Sequence, residues 1–119
     1  MSFKRVGVWA VTIFVALIFM MAGLNKLTAP AAWQDRFVNQ WGLPGWMAAV
    51  TAVAEIVGAV LVLVPRTAVF GGAILALVMV GATGTHVLAG EFSRLSVTVP
   101  FGVMAAFVAY YRCPWTSEE

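Results

Sequence analysis

Four long apolar runs, joined by short polar links, occupy most of this 119-residue chain. A membrane-spanning helix needs about 17–25 mainly apolar residues, and each run has approximately that length. Hydrophobic residues make up 62% of the sequence, whereas soluble domains are roughly 45–50% apolar. The sequence therefore predicts an all-α integral membrane four-helix bundle, a single domain over residues 1–119. Its predicted spans are residues 6–27, 47–64, 67–90 and 95–111.

The few charged residues of the chain set limits on its partners. They make up 10% of the sequence and give a formal net charge of +2, without a basic patch. This pattern does not favour nucleic-acid binding and leaves the lipid bilayer as the expected surrounding. The first run is too long for a signal peptide and lacks a small-residue cleavage site, so we expect a retained span. Cys113 is the only cysteine, which excludes a disulfide within one chain.

A short amphipathic helix is predicted between the first two spans. Trp33, Phe37 and Trp41 recur every four residues, with polar residues between them. Such a pattern is typical of a helix that lies in the membrane interface with its aromatic side chains among the headgroups. Pro30 blocks a simple continuation of the first span into this segment. We call the predicted element the loop helix.

The distribution of lysine and arginine predicts the orientation of the bundle. Basic residues are enriched in the cytoplasmic loops of membrane proteins. An inside N-terminus leaves four of them in the cytoplasm and three outside, namely Lys4, Arg5, Arg66 and Arg112 against Lys26, Arg36 and Arg94. We therefore predict that both termini are cytoplasmic.

Glu55 lies in the middle of the second run, which is otherwise uncharged. A carboxylate at the centre of a membrane helix costs about 2.5–3.5 kcal/mol on insertion scales, and such residues usually face a bundle interior or a functional site. One hypothesis is structural, with Glu55 paired to Lys26 or hydrogen-bonded across helices. The other is a ligand-binding role. The sequence leaves both open.

Polar residues of several runs are expected to meet on one side of the membrane. In an up-down bundle, the ends of the first and third spans and the starts of the second and fourth lie together. Asn25 and Lys26 close the first run, while Thr85 and His86 stand near the end of the third. Glu55 is roughly 12 Å inside the second run. We predict a ligand-binding pocket of Glu55, Lys26, His86, Asn25 and Thr85, with the loop helix as its lid.

The same residues have structural alternatives. Lys26 is also placed to reach the lipid headgroups with its ammonium group. His86 lies about four residues before the end of its run and is alternatively an interfacial histidine in contact with water. Small residues such as Gly58, Gly81 and Gly84 are expected to let helices approach closely. Pro100 predicts either a local kink or a first-turn proline in the fourth span.

The chemistry of the predicted pocket suits proton transfer. A carboxyl group and a neutral imidazole together can handle the two protons of a quinone. One histidine and two acidic groups at unrelated heights do not form a convincing ligand set, so we expect no metal site. Nucleotide-binding and nucleophile motifs are lacking. We expect no enzymatic activity from the chain alone, assign no catalytic residue, and consider quinone as a ligand without a firmly implied cofactor.

Several short motifs, in order along nearly the whole chain, resemble the DoxX-like family of small membrane proteins. They are Ala22-Gly23-Leu24-Asn25-Lys26, Gly42-Leu43-Pro44, Glu55-Ile56-Val57-Gly58-Ala59, Gly81-Ala82 with His86, and Arg112-Cys113-Pro114. The resemblance implies a four-helix bundle. It also implies a link to membrane oxidoreductases, because the founding members are the small membrane subunit of a thiosulfate:quinone oxidoreductase, or to assembly of other membrane proteins. It places the chain in the bacterial cytoplasmic membrane.

Three function hypotheses follow. The first is an accessory subunit of a membrane redox system that binds a lipophilic ligand such as quinone, while a membrane or peripheral oxidoreductase partner supplies the redox centre. The alternative is a scaffold or assembly factor for membrane proteins without a small-molecule ligand. A third hypothesis, a transporter or proton-conducting element, requires a homo-oligomer, since four helices leave little room for a transport path.

Overall fold

Residues 3–112 are described by a computed structural model, and within them every regular element is helical. The elements are α1 (Phe3–Thr28), α2 (Pro30–Asp35), a π-helical turn (Arg36–Gln40), α3 (Met47–Leu63), α4 (Ala68–Leu88), a 3₁₀ turn (Phe92–Arg94) and α5 (Leu95–Arg112). The predicted all-α class of membrane bundle is confirmed. Cys113 and Pro114, which belong to the last motif of the family resemblance, lie outside the described residues.

Three helices of the described chain are long and apolar enough to cross a membrane. These are α1, α4 and the segment Phe92–Arg112, which includes α5. The fourth apolar helix, α3, has 17 residues and is therefore about 26 Å long. That length lies at the lower limit for a spanning helix.

The four apolar helices form a ring around one core. Helix α1 packs on α3, α3 on α4 and α4 on α5, while α5 closes the ring on α1. Side chains from all four helices fill the centre, and the buried core comprises Val15, Ala16, Phe19, Ala59, Val62, Leu75, Ala105 and Val108. In a membrane, where lipid is as apolar as these residues, close packing of this kind holds helices together.

Glycines bring α4 into backbone contact with both of its neighbours. A Cβ atom at Gly71 would lie 2.6 Å from the backbone nitrogen of Val62 in α3. A Cβ atom at Gly72 would lie 2.8 Å from the carbonyl oxygen of Ala105 in α5. Only a residue without a side chain allows such an approach. The start of α4 is therefore the tightly packed end of the bundle.

At its other end α4 carries two glycines that face outward, and it meets α5 through the hydrogen bond between Thr83 and Thr98. A Cβ atom at Gly81 or Gly84 would have no other atom within 4 Å. The prediction that these two glycines bring helices close together is therefore wrong. Gly58 does allow a close approach, because a Cβ atom there would lie 2.6 Å from Cδ2 of Leu75 in α4. The helices separate toward the end of α4, and this separation makes room for a cavity.

The loop helix forms between the first two spans, as the sequence predicts, and comprises α2 and the π-helical turn that ends at Gln40. Pro30 is the first residue of α2, and the preceding Ala29 has a non-helical backbone with φ −132° and ψ 59°. The helical path continues through the π-helical turn and stops before Gly42, whose φ of +68° favours glycine. The chain then turns into α3. Phe37 is buried, so the aromatic face of the loop helix packs onto the bundle.

Pro100 is the sixth residue of α5. The first-turn alternative is therefore wrong, since a proline at this position lies in the second turn of the helix. Its missing N–H leaves the carbonyl oxygen of Ser96 without the usual helical hydrogen bond.

Replacing Gly71 by alanine should destabilise the bundle. The new methyl group would meet the backbone of α3, which cannot move aside as a flexible side chain would. We expect a loss of about 1–3 kcal/mol in the free energy of unfolding, the usual range for overpacking. This loss can be measured by unfolding wild type and variant in detergent micelles. Gly84→Ala is the matched control and should be neutral or stabilising, because alanine favours a helix more than glycine does. Equal stability of the two variants would contradict the assigned packing.

Candidate functional site

A cavity of about 430 Å³ lies between the separated helix ends and the loop helix. Its walls are the end of α1, the start of α3, the end of α4 and the start of α5. These are the four helix ends that an up-down topology brings to one side. The aromatic side chains Trp33, Phe37 and Trp41 cover it. The volume falls in the range of about 300–1,000 Å³ that is usual for small-molecule sites.

The cavity communicates with the outer surface of the bundle. Leu77 of α4 and Val97 of α5 both line the cavity and are 70% and 54% exposed. Gly81, another lining residue, is exposed as well. The apolar outer surface of the spans faces lipid in a membrane protein. The side openings therefore lead toward the bilayer.

Lys26 and Glu55 form a buried ion pair in the cavity wall. The Lys26 Nζ atom donates a hydrogen bond of 2.9 Å to Oε1 of Glu55, and the two side chains are 11% and 4% exposed. Two such charges are stable away from water only as partners. The expectation that Lys26 pairs with Glu55 holds in the structure, and the alternative in which Lys26 reaches the headgroups does not.

The directions of the two helices explain how these side chains meet. Side chains of a helix tilt toward its N-terminus. Lys26, near the C-terminal end of α1, therefore leans back into the bundle, while Glu55 of the antiparallel α3 leans toward the loop helix. Close packing fixes their separation, because a Cβ atom at Gly23 would lie 2.9 Å from the carbonyl oxygen of Ala52.

One end of the loop helix is attached to α1 through Trp33. The indole Nε1 of Trp33 donates a hydrogen bond of 3.0 Å to Oδ1 of Asn25. The Lys26 ammonium lies 4.6 Å from the centre of the Trp33 ring, and the Arg36 guanidinium lies 4.8 Å from it. Cations over an indole face are attracted by its electron density. Trp33 thus connects the loop helix with the ion pair.

The other end of the loop helix is attached to the α4–α5 turn through Glu91. Trp41 Nε1 donates a hydrogen bond of 2.9 Å to Oε1 of Glu91, and Gln40 Nε2 donates one to Oε2. His86 Nδ1 lies 2.7 Å from the same Oε1 atom. The rings of Trp41 and His86 meet edge to face, with centroids 5.5 Å apart. His86 is 8% exposed, so most of its ring is covered by the protein.

A glycine cap at the end of α4 brings Glu91 to His86. Gly90 has a φ of +76°, and the backbone N–H groups of Gly90 and Glu91 donate to the carbonyl oxygens of Val87 and His86, the latter at 2.8 Å. This is a Schellman motif, in which the residue after the glycine returns to the third-last helical residue. The motif places the Glu91 carboxylate beside the His86 ring.

The environment of Glu91 stabilises its ionised form. Hydrogen bonds from His86, Gln40 and Trp41, the first being the largest influence, lower the pKa of Glu91 from 4.5 to about 2, against a smaller opposing effect of burial. Glu91 is therefore a carboxylate over the physiological range and acts as an acceptor only.

Four of the five predicted site residues line one cavity: Lys26, Glu55, Thr85 and His86. Asn25 is exposed and supports Trp33 instead. The Thr85 hydroxyl donates to the carbonyl oxygen of Gly81. The role of these residues in ligand binding stays a prediction.

Sequence reasoning missed the part that Glu91 plays. The bond between Glu91 and His86 was not predicted. The signal was present, since a glycine four residues after a histidine and followed by a glutamate fits the Schellman spacing.

Removing one member of the ion pair should lower the free energy of unfolding. Lys26→Met would leave the Glu55 carboxyl buried without its partner, and removing one member of a buried pair costs about 3–5 kcal/mol. The double variant Lys26→Met/Glu55→Leu removes both charges and should recover most of that loss. Unfolding of the three proteins in mild detergent measures the free energies. A single variant as stable as the wild type would show that the pair does not form.

Acid should detach the loop helix from Glu91. The carboxyl titrates near 4.5 when unfolded and near 2 when folded. Its hydrogen bonds therefore stabilise the folded protein fully above about pH 4.5, and this contribution is lost as the pH falls toward 2. The difference in thermal stability between wild type and Glu91→Gln should shrink over that window. A difference that stays constant with pH would contradict the prediction.

Comparison with known proteins gives a family match over most of the chain. The DoxX-like family model matches residues 10–108, which include all the cavity-lining residues. No significant match was found among curated proteins or among solved structures. Within the described residues, no group of three or more His, Cys, Asp or Glu side chains is arranged to hold a metal ion.

Proposed function

The chain belongs to the DoxX-like family, and we propose that it binds a lipophilic ligand such as a quinone as an accessory subunit of a membrane redox system. The observation that carries the proposal is the cavity, which is apolar, open toward lipid and equipped with a buried ion pair. A largely preformed apolar pocket with a few convergent polar groups is the usual form of a small-molecule site.

The ion pair can recognise a polar head on an apolar ligand. Lys26 donates one hydrogen bond to Glu55, and an ammonium group has three N–H donors. A quinone carbonyl oxygen can accept another. Within residues 3–112, Oε2 of Glu55 has no hydrogen-bond partner, so it can accept from a ligand hydroxyl. Because the pair carries no net charge, it suits a neutral head better than an ionised one.

The walls of the cavity suit a flat ring with an apolar tail. Trp33, Phe37 and Trp41 cover one side, and Phe101 of α5 lies on another. Aromatic side chains provide large contact areas for a planar ring. The side openings at Leu77 and Val97 allow a tail to remain in the bilayer. We place the protein in the bacterial cytoplasmic membrane, next to an oxidoreductase partner that supplies the redox centre.

Filling the cavity should prevent a lipophile from co-purifying with the protein. Ala82 lines the cavity, so Ala82→Phe places a ring in the proposed ligand volume without altering the ion pair. Val80 is on the same helix but is exposed on the outer surface, which makes Val80→Phe the matched control. Native mass spectrometry and lipid extraction of protein in mild detergent provide the measurement.

The expected result is a bound lipophile of the quinone class, in either redox form, in wild type and Val80→Phe, and its depletion by at least tenfold in Ala82→Phe. Glu55→Gln, which keeps the volume and removes the charge, should also deplete it. Absence of a lipophile from all four proteins would refute the ligand-binding proposal. It would favour the alternative of a scaffold or assembly factor for other membrane proteins.

A further inference from the structure

The contact between Glu91 and His86 determines which nitrogen of His86 donates a hydrogen bond and which can accept one. We infer that His86 offers its Nε2 atom to the cavity as a hydrogen-bond acceptor, held so by Glu91, and that the ligand is therefore a hydroxyl-bearing lipophile such as a quinol. This inference rests on the proposed function and specifies which redox form the site prefers. Glu91 is a positioning residue in it.

The proton on His86 is located by what surrounds Glu91. Trp41 Nε1 and Gln40 Nε2 both donate to the Glu91 carboxylate. A carboxylate that already accepts from two donors has no proton of its own to give. The 2.7 Å contact with His86 therefore requires the proton to be on Nδ1 of the histidine. In the neutral imidazole Nε2 is then the acceptor.

The remaining ring nitrogen has no partner within the protein as described. No hydrogen bond joins Nε2 to any residue from 3 to 112. The ring itself lines the cavity and is almost fully buried. Nε2 is not one of the buried side-chain atoms that lack a partner, so it is accessible from the cavity. A hydroxyl of a ligand in the cavity can donate to it.

Lys26 and His86 therefore offer a ligand opposite hydrogen-bonding groups. Lys26 is a donor only, whereas Nε2 of His86 is an acceptor. A quinone has carbonyl acceptors at its oxygens and no donor for Nε2. A quinol oxygen accepts from Lys26, and a quinol hydroxyl donates to His86. A site that hydrogen-bonds a ligand hydroxyl binds analogues that lack it less tightly.

The tautomer of His86 can be observed directly, since it is the only histidine in the chain. Protein with ¹⁵N-labelled histidine gives one imidazole in NMR spectra, recorded without ligand at a pH where the ring is neutral. We expect the Nδ1–H tautomer in wild type. Glu91→Ala removes the acceptor and should abolish that preference. Gln40→Ala is the matched control, because it removes one bond to Glu91 and leaves Nδ1 untouched. An Nε2–H tautomer in wild type overturns the inference.

Ligand preference provides the second test. The probes are a decyl-tailed benzoquinone, the matching hydroquinone kept anaerobic, and its dimethyl ether. Wild type should bind the hydroquinone about threefold to tenfold more tightly than the other two, which corresponds to one hydrogen bond. His86→Phe keeps a ring beside Trp41 and should remove this preference. Val80→Phe, which adds a ring on the outer surface of the same helix, is the control and should retain it.

The outcomes separate the inference from the proposed function. Equal binding of the three probes to wild type overturns the assignment of Nε2 while leaving a lipophile-binding protein. Binding of none of them, with a co-purified ligand also absent, overturns both. A preference for the hydroquinone that survives His86→Phe places the acceptor elsewhere and overturns the role of His86.

Discussion

The ion pair between Lys26 and Glu55 is the interaction on which the rest of the site depends. An apolar bundle tolerates two charges at this depth only if each neutralises the other, and this requires α1 and α3 to be aligned within a fraction of a helical turn. Gly23 makes that alignment possible by admitting the backbone of α3. The ammonium group of Lys26 also contacts the face of the Trp33 ring. The position of the loop helix therefore depends on the ion pair as well.

The loop helix is held at both ends by different chemistry. Its first half is fixed to α1 by Asn25 and Lys26, and its last residues are fixed to the α4–α5 turn by Glu91. Between these attachments the aromatic face covers the cavity. Phe37 is buried and adds a packing contact with the bundle. The cover of the cavity is therefore held by polar attachments at its two ends and by packing between them.

The sequence predicted the coarse features well because they follow from length and hydropathy. The fold class could be predicted from the four apolar runs, from Pro30 and from the aromatic spacing of the loop helix. The same features predicted the side of the membrane on which the polar residues meet. The sequence did not predict which residues of neighbouring helices contact each other. Gly71 and Gly81 are identical in type, yet only Gly71 touches another backbone, since contact depends on where the helices separate. The contact between His86 and Glu91 was not predicted, because it depends on the helix cap that Gly90 forms.

The backbone contacts at Gly71 and Gly72 restrict how the bundle can adapt in shape. Helices that touch through their main chains cannot move apart there without losing many contacts at once. At its other end α4 meets α5 through side chains, such as the hydrogen bond between Thr83 and Thr98. Side chains can change rotamer while the main chain stays in place, so any adjustment of α4 against α5 is expected at the end that borders the cavity.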